Sequence, residues 1–275
     1  IAGCLLGANA HDVTTLLTSR FLEGVGFVGI VVSIPSILMR VSAPNDQRLV
    51  FGIWAAYMPF GMAAMMAATP ALLTLTDWRG IWLVNAVATG ALLGLFMYMT
   101  RSLPRRVKGQ KGLNILTAMF RVLARPGPWL LAACFMAYAG QWAAMMSWLP
   151  AFLGDVSGNN MATAAWLTAL VVFVNVPGNL LGSWLLQRGY TRWHLVAFGS
   201  LCMAIFGYGV FAEGINDSFR IVLAIAFSFF GGLLPTTLLS GSVLHSPTPD
   251  LTATTNGVII NGANTGMLLG PPALG

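Results

Sequence analysis

Arg20 and Glu23 stand three residues apart inside the long apolar run Val13–Met39. A charge at the centre of a membrane span costs at least about 2.5 kcal/mol, so it persists only where something answers it. On a helix the two share one face and partly neutralise each other. Two uses follow from that. In one, Arg20 receives an anionic substrate group and Glu23 is a proton-coupling carboxylate. In the other, the two are a structural ion pair near the outer end of the span, where water is close.

Three sets of uncharged polar residues lie in other apolar runs. Tyr138, Gln141, Trp142 and Met145 recur at i, i+3, i+4 and i+7 and form an aromatic, amide and thioether stripe on one helical face. It either lines a cavity for an organic solute or packs against a neighbouring helix. Thr168, Asn175 and Asn179 share a face that Pro177-Gly178 interrupts, because proline deletes a helical hydrogen bond. Carbonyls freed beside buried amides serve a substrate or hold helices together. Asn256, Asn261, Asn264 and Thr265 give the last run a polar density that must look at protein or water. The substrate-binding candidates are therefore Arg20, Tyr138, Gln141, Trp142, Asn175, Asn179, Asn261 and Asn264, while Asn85 reads as a lone helix contact.

The sequence lacks the usual chemical machinery of an enzyme. It has no G-x-S-x-G elbow, no phosphate-binding loop and no paired-cysteine metal site, and its G-x-G-x-x-G string, Gly24–Gly29, lies inside an apolar run and not at a strand-to-helix turn. His11, His194 and His245 fall at loop edges and are not spaced to share a metal. Cys4, Cys134 and Cys202 lie singly in separate apolar runs, as small core residues do. The expectation is a protein that is not an enzyme and uses no metal or cofactor.

The elements that must position these residues are membrane spans. Of 275 residues, 57% are hydrophobic and 8% charged, and the mean hydropathy is +0.77, a balance that no ordinary water-soluble domain shows. Apolar runs recur at Val13–Met39, Leu49–Leu75, Ile81–Met99, Trp129–Leu153, Ala162–Leu186, Leu195–Ala212, Ile221–Leu244 and, less purely, Leu251–Gly275. Each is near the roughly 20 residues that cross a bilayer. Lipid offers no partner to backbone N–H and C=O groups, so such runs must be helices. The apolar Ile1–Ala10 is too short to span, and the chain stops at Gly275 without a polar tail, so both ends read as cuts through helices.

Loop charges orient the spans. With His11–Asp12 placed outside, Arg40, Arg48, Arg101, Arg105, Arg106, Lys108, Lys111, Arg121, Arg125, Arg188 and Arg192 fall inside, and only Arg79 and Arg220 fall outside. Asp12, Asp77, Asp155, Glu213 and Asp217 collect outside. Topology thereby accounts for the net charge of +6, and no nucleic-acid partner need be invoked. The basic stretch 101–127 divides the chain into 1–100, the remainder of one helix bundle, and 128–275, a second and truncated bundle. Within it Leu113–Ala124 has the spacing of a short helix on the cytoplasmic surface, or is a linker with local helix propensity. A shift of 205 residues brings Gly52, Gly61 and Met62 onto Gly257, Gly266 and Met267, as repeated bundles would. Pro35, Pro59, Pro177 and Pro235 each permit a bend.

At Arg20-Phe-Leu-Glu-Gly-Val-Gly26 the sequence resembles the R-x-x-x-G-x-G signature in the fourth span of the major facilitator superfamily. Asp77-Trp78-Arg79-Gly80-Ile81-Trp82 is similar to the turn that opens that family's sixth span. Gly182 and Gly189 match its G-x-x-x-D-R-x-G-R-R loop, but Leu186 and Gln187 stand where an acidic and a basic residue belong. Tyr57-Met-Pro-Phe-Gly61 only partly matches the antiporter glycine–proline motif. Trp148-Leu-Pro150-Ala-Phe-Leu153 is similar to the cyanate-permease-like branch. The resemblance implies an all-α, two-bundle major facilitator-type fold running from the third span into the eleventh and incomplete at both ends. It also implies secondary transport of a small solute, such as a small organic anion, by alternating access with protons as coupling ion. A monomer in the bacterial inner membrane is expected, in contact with its substrate and the lipid bilayer. A hydrophobic-drug efflux carrier and a non-transporting solute sensor stay open as alternatives.

Overall fold

The computed structural model describes residues 1–43, 46–101, 115–157 and 161–274, and every regular element among them is helical. In chain order these are α1 (Ala2–Ala8), α2 (Val13–Val41), α3 (Gln47–Ala55), α4 (Tyr57–Leu75), α5 (Trp78–Thr100), α6 (Ile115–Leu123) and α7 (Pro126–Ser157). They continue as α8 (Met161–Phe173), α9 (Asn175–Gln187), α10 (Arg192–Phe211), α11 (Asp217–Gly231), α12 (Leu233–His245) and α13 (Thr252–Leu274). Arg105, Arg106, Lys108 and Lys111 of the basic stretch lie outside the described residues, as does Leu113.

Seven stretches among the described residues are long and apolar enough to cross a membrane. A single helix such as α10, with 20 residues, reaches about 30 Å. The expected eighth run is the 23-residue α13, whose Thr, Asn and Gly content leaves it less apolar than the rest. Three of the helices begin on acidic or amide caps. Asp12 accepts from the Thr15 amide and hydroxyl, each at 2.8 Å. Asp77 accepts from the Gly80 amide at 2.9 Å, and Asn216 from that of Phe219 at 2.7 Å. Such caps satisfy amide donors that a helix leaves unpaired, so these residues have a local reason to stand at helix starts. The hydrogen bond from the Thr15 amide holds the Asp12 carboxyl below its usual range. That cap is complete above the ordinary carboxylate range and is lost as pH falls through the lowered value.

Three spans are jointed by proline. The helix is interrupted at Ala56, Val174 and Gly232, in each case three residues before a proline: Pro59, Pro177 and Pro235. The pyrrolidine ring clashes with the carbonyl four residues back and supplies no N–H to it, which is where each helix parts. Pro35 does not have this effect, and α2 continues through it. The inner segments α3, α9 and α12 then pack on one another, with Gly52 so close to Ser183 that an added Cβ would lie 2.8 Å from the Ser183 Cβ.

Packing groups the chain into two compact units, 1–34 with 68–114, and 35–67 with 115–275. In the first, α1 lies on α5. In the second, the most extensive contact joins α7 to α13. There Gly262, Gly266 and Gly270 meet the backbone at Ala132, Met136 and Gly140, so that a Cβ on any of the three glycines would come within 2.3 Å of a carbonyl oxygen. Small residues four apart let helix backbones approach in lipid, where packing replaces the hydrophobic drive. The Trp148 indole closes the seam by donating to the Pro271 carbonyl at 3.0 Å. The short α6 docks Ala118 and Val122 against Leu251 and Val258, leaving Leu116, Met119 and Phe120 exposed, the two-faced character that suits a helix lying at a membrane surface.

Gly266→Leu is expected to destabilise the protein by about 2 kcal/mol or more through overpacking, read as a lower melting temperature in detergent. Gly257→Ala, at a position with open space around it, is expected to change stability by less than about 0.5 kcal/mol.

Candidate functional site

Arg20 and Glu23 meet as the spacing requires, with Arg20 Nη2 3.0 Å from Glu23 Oε2. The Arg20 guanidinium also lies over the indole of Trp82, 3.6 Å from the ring centroid. Neutralising contacts of these kinds, an ion pair and a cation–π stack, are what a guanidinium in a span demands. The Arg20 side chain remains 54% exposed and that of Glu23 25%, so the pair is held without being sealed off. Two glycines on α1 make room for it. A Cβ on Gly3 would come within 2.6 Å of the Glu23 side chain, and one on Gly7 within 2.1 Å of Trp82. The Gly3-x-x-x-Gly7 spacing is the one sequence signal that could have marked this approach, and nothing in the sequence pointed to Trp82 as the partner.

Four of the other candidates come together. The Asn175 amide donates to the Ser228 carbonyl at 2.8 Å and to the Tyr138 hydroxyl at 3.3 Å. The Asn179 amide donates to Asn175 Oδ1 at 2.8 Å, and the Thr236 hydroxyl donates to Asn179 Oδ1 at 3.1 Å. The Trp142 indole points at the Ser228 hydroxyl at 3.4 Å. Tyr138, Trp142, Asn175 and Asn179 are all buried, so α7, α9, α11 and α12 are linked through a closed polar network. The backbones come close enough for this because Gly178 and Gly232 face each other across α9 and the α11–α12 joint, 3.1 Å from an added Cβ on Gly178 to the Gly232 Cα.

The remaining candidates lie elsewhere. Gln141, though in the same periodic stripe as Tyr138 and Trp142, is exposed and lines a separate hollow of about 510 Å³ with Met145, Met203, Tyr208 and Phe227. Asn261 is exposed and Asn264 half-buried on α13; the Thr265 hydroxyl turns back to the Asn261 carbonyl at 2.9 Å. Among the described residues no group of three His, Cys, Asp or Glu side chains could hold a metal.

Arg220 departs from its reading as a loop cation. It is buried and donates to the Val210 carbonyl, to that of Ile215 at 3.2 Å and to that of Ala212 at 3.4 Å. It therefore ties the outer end of α10 to the start of α11. Nothing in the local sequence distinguishes it from a solvated arginine, since its partners are main-chain oxygens of a neighbouring turn.

A helical membrane protein with several spans, glycine-sealed helix pairs and a charged pair held in one span is the class these features define. The chain belongs to the Major Facilitator Superfamily, whose family model matches residues 1–271. It is 29% identical over 182 residues to the cyanate transport protein CynX of Escherichia coli K12, covering 65% of this chain and 45% of that protein. It is also 29% identical over 103 residues to the efflux pump ustT of Ustilaginoidea virens, covering 37% of this chain and 19% of the pump. A crystal structure of a bacterial homologue of the human lysosomal transporter Spinster, inward-facing and unoccupied, shares the fold with a TM-score of 0.63 at 19% identity. That match covers 98% of this chain and 64% of the solved one, so the chain spans less than two thirds of the length of these relatives. The chain is an integral, multi-pass membrane protein of all-α fold.

Asn175→Leu is expected to destabilise the protein by about 1 kcal/mol, since it removes the side-chain bonds to the Ser228 carbonyl, the Tyr138 hydroxyl and the Asn179 amide, although the Ser228 carbonyl keeps the Gly232 amide and the Asn179 side chain keeps the Asn175 main-chain carbonyl. Asn261→Leu, on an exposed face, is expected to leave the detergent melting temperature unchanged.

Proposed function

We propose that the whole protein is a secondary carrier that moves a small organic anion by alternating access, with Arg20 as the group that recognises the anion. The observation that carries this reading is the half-exposed guanidinium in α2, held by Glu23 and Trp82 yet left with donors to offer. An anion reaching Arg20 competes for the guanidinium with Glu23, so solute binding loosens the ion pair. This gives proton coupling a physical route through one ion pair. The similarity to a cyanate transport protein is in keeping with a small anionic solute, and the energy for accumulation would come from an ion gradient. The protein acts as a monomer in the bacterial inner membrane, with the halves 1–100 and 128–275 as the two moving bundles.

The inner segment α3 belongs by chain order to the first half, and it packs on α9 and α12 of the second. Because all three are jointed to their outer parts by proline, they form a closure that opens by bending at those joints. A drug efflux carrier is the second reading, favoured by the similarity to an efflux pump and by the Met- and aromatic-lined hollow beside Gln141.

In proteoliposomes of the full-length protein, Arg20→Lys is expected to reduce saturable counterflow of a small anion at least about tenfold, because a point charge replaces a planar guanidinium stacked on an indole. Normal insertion with unchanged uptake kinetics would refute the assignment, and undiminished export of hydrophobic cations would favour the efflux reading. The double variant Gly52→Cys, Ser183→Cys is expected to cross-link under oxidation and to halt transport until a reductant is added. Cross-linking without any loss of transport would remove α3 and α9 from the closure.

A further inference from the structure

On the side that the basic residues assign to the cytoplasm, a cavity of about 830 Å³ opens among the ends of α9 and α12 and the starts of α10 and α13. Its volume falls in the range of small-molecule sites. Arg192, which donates to the Ser240 carbonyl at 3.4 Å, and His245 contribute to its wall, and none of the described residues lining it is acidic. Leu239, Val243 and Leu244 give it an apolar side, of which Val243 and Leu244 are exposed. Tyr190 and Trp193 stand exposed at its rim, where aromatic residues mark the boundary between hydrocarbon and headgroups.

The informative residue is Asn256. It lines this cavity, is only 6% exposed, and its Oδ1 has no hydrogen-bond partner among the described residues. Neighbouring hydroxyls are already committed: Thr252 donates to the Pro249 carbonyl at 2.9 Å and Ser242 to that of Leu239 at 2.8 Å. A buried acceptor left unpaired costs about 1–3 kcal/mol, so a donor is expected at this oxygen, from a water, an ion or a ligand. An occupant that matches the whole cavity brings a donor, a negative charge and an aliphatic portion.

We propose that this cavity binds an anionic phosphate ester carrying hydroxyl donors, the chemistry of a phosphatidylglycerol headgroup in the inner leaflet. The phosphate lies towards Arg192, a headgroup hydroxyl donates to Asn256 Oδ1, and the acyl chains run along Leu239, Val243 and Leu244. A choline headgroup is excluded by the same features, since it offers no donor and sets a cation beside Arg192. Free glycerol phosphate has the same polar chemistry without the chains. Basic pockets at the cytoplasmic ends of spans are suited to acidic lipid headgroups in general. This site makes a further demand, for a hydroxyl at a fixed acceptor.

The purified full-length protein in neutral detergent, titrated with phosphatidylglycerol, phosphatidylcholine or glycerol phosphate, tests this by native mass spectrometry of retained ligand. Phosphatidylglycerol is expected to be retained at least about tenfold better than phosphatidylcholine, and Arg192→Gln and Asn256→Leu are each expected to abolish that preference. Arg121→Gln, on the exposed side of α6, serves as the control and keeps it. Size-exclusion profiles establish that the variants are folded, and Asn256→Gln, which retains an amide oxygen, is expected to recover part of the binding. Should glycerol phosphate bind the wild type and not Arg192→Gln without a lipid preference, the phosphate-ester site stands and its source is soluble. Equal retention of the two lipids with no glycerol phosphate bound, or an undiminished preference in folded Arg192→Gln, overturns the proposal. Because the readout is binding, a failure here leaves the transport reading untouched, and the reverse is equally true.

Discussion

Hydrocarbon neither donates nor accepts hydrogen bonds, and this one fact governs how every polar group in the chain is placed. The amides of Asn175 and Asn179 find the Tyr138 hydroxyl, the Ser228 carbonyl and each other, and in doing so fasten three spans together. The guanidinium of Arg20 finds a carboxylate and an indole. That of Arg220 finds main-chain carbonyls at the outer end of α10 and in the turn beyond. Where the rule is satisfied within the protein, the residue holds the structure together. Where a group is left open, as at the half-exposed Arg20 side chain or the buried Oδ1 of Asn256, there is room for a partner from outside the chain.

The same constraint explains how the helices are allowed to meet. Hydrogen-bond partners on different spans reach one another only if the backbones are close, and glycine sets that distance. The Gly178–Gly232 approach and the Asn175–Ser228 bond are two aspects of one crossing, and the Gly262–Gly266–Gly270 seam holds α13, the least apolar long helix, against α7. A helix with as many Thr and Asn side chains as α13 can lie in a bilayer because so much of it is pressed onto protein.

Much of the architecture was legible in the chain because its causes are local. The apolar runs give helices at nearly the expected limits, and within Leu113–Ala124 the described residues Ile115–Leu123 form the helix α6. Prolines 59, 177 and 235 give breaks at a fixed offset, the consequence of a ring that clashes four residues back. What was not legible depends on partners distant in sequence. Tyr138 and Gln141 fall in one periodic stripe, yet one is buried and the other exposed, because periodicity ranks faces without saying where a neighbouring helix ends. Trp82 gave no sign that it would stack on Arg20, nor Arg220 that it would be buried. Among the candidates on α13, Asn256 was noticed only as one amide of several, and its isolation inside a cavity depends on how α12 and α13 converge.

The three proline joints have a mechanical consequence. A continuous helix behaves as a stiff rod, so torque applied at one end is felt at the other. A rod cut at Ala56, Val174 and Gly232 transmits very little. With the stubs α3, α9 and α12 in mutual contact, bending at the three joints would move them as one block. The backbone itself thus divides each of these spans into two lengths that need not move together.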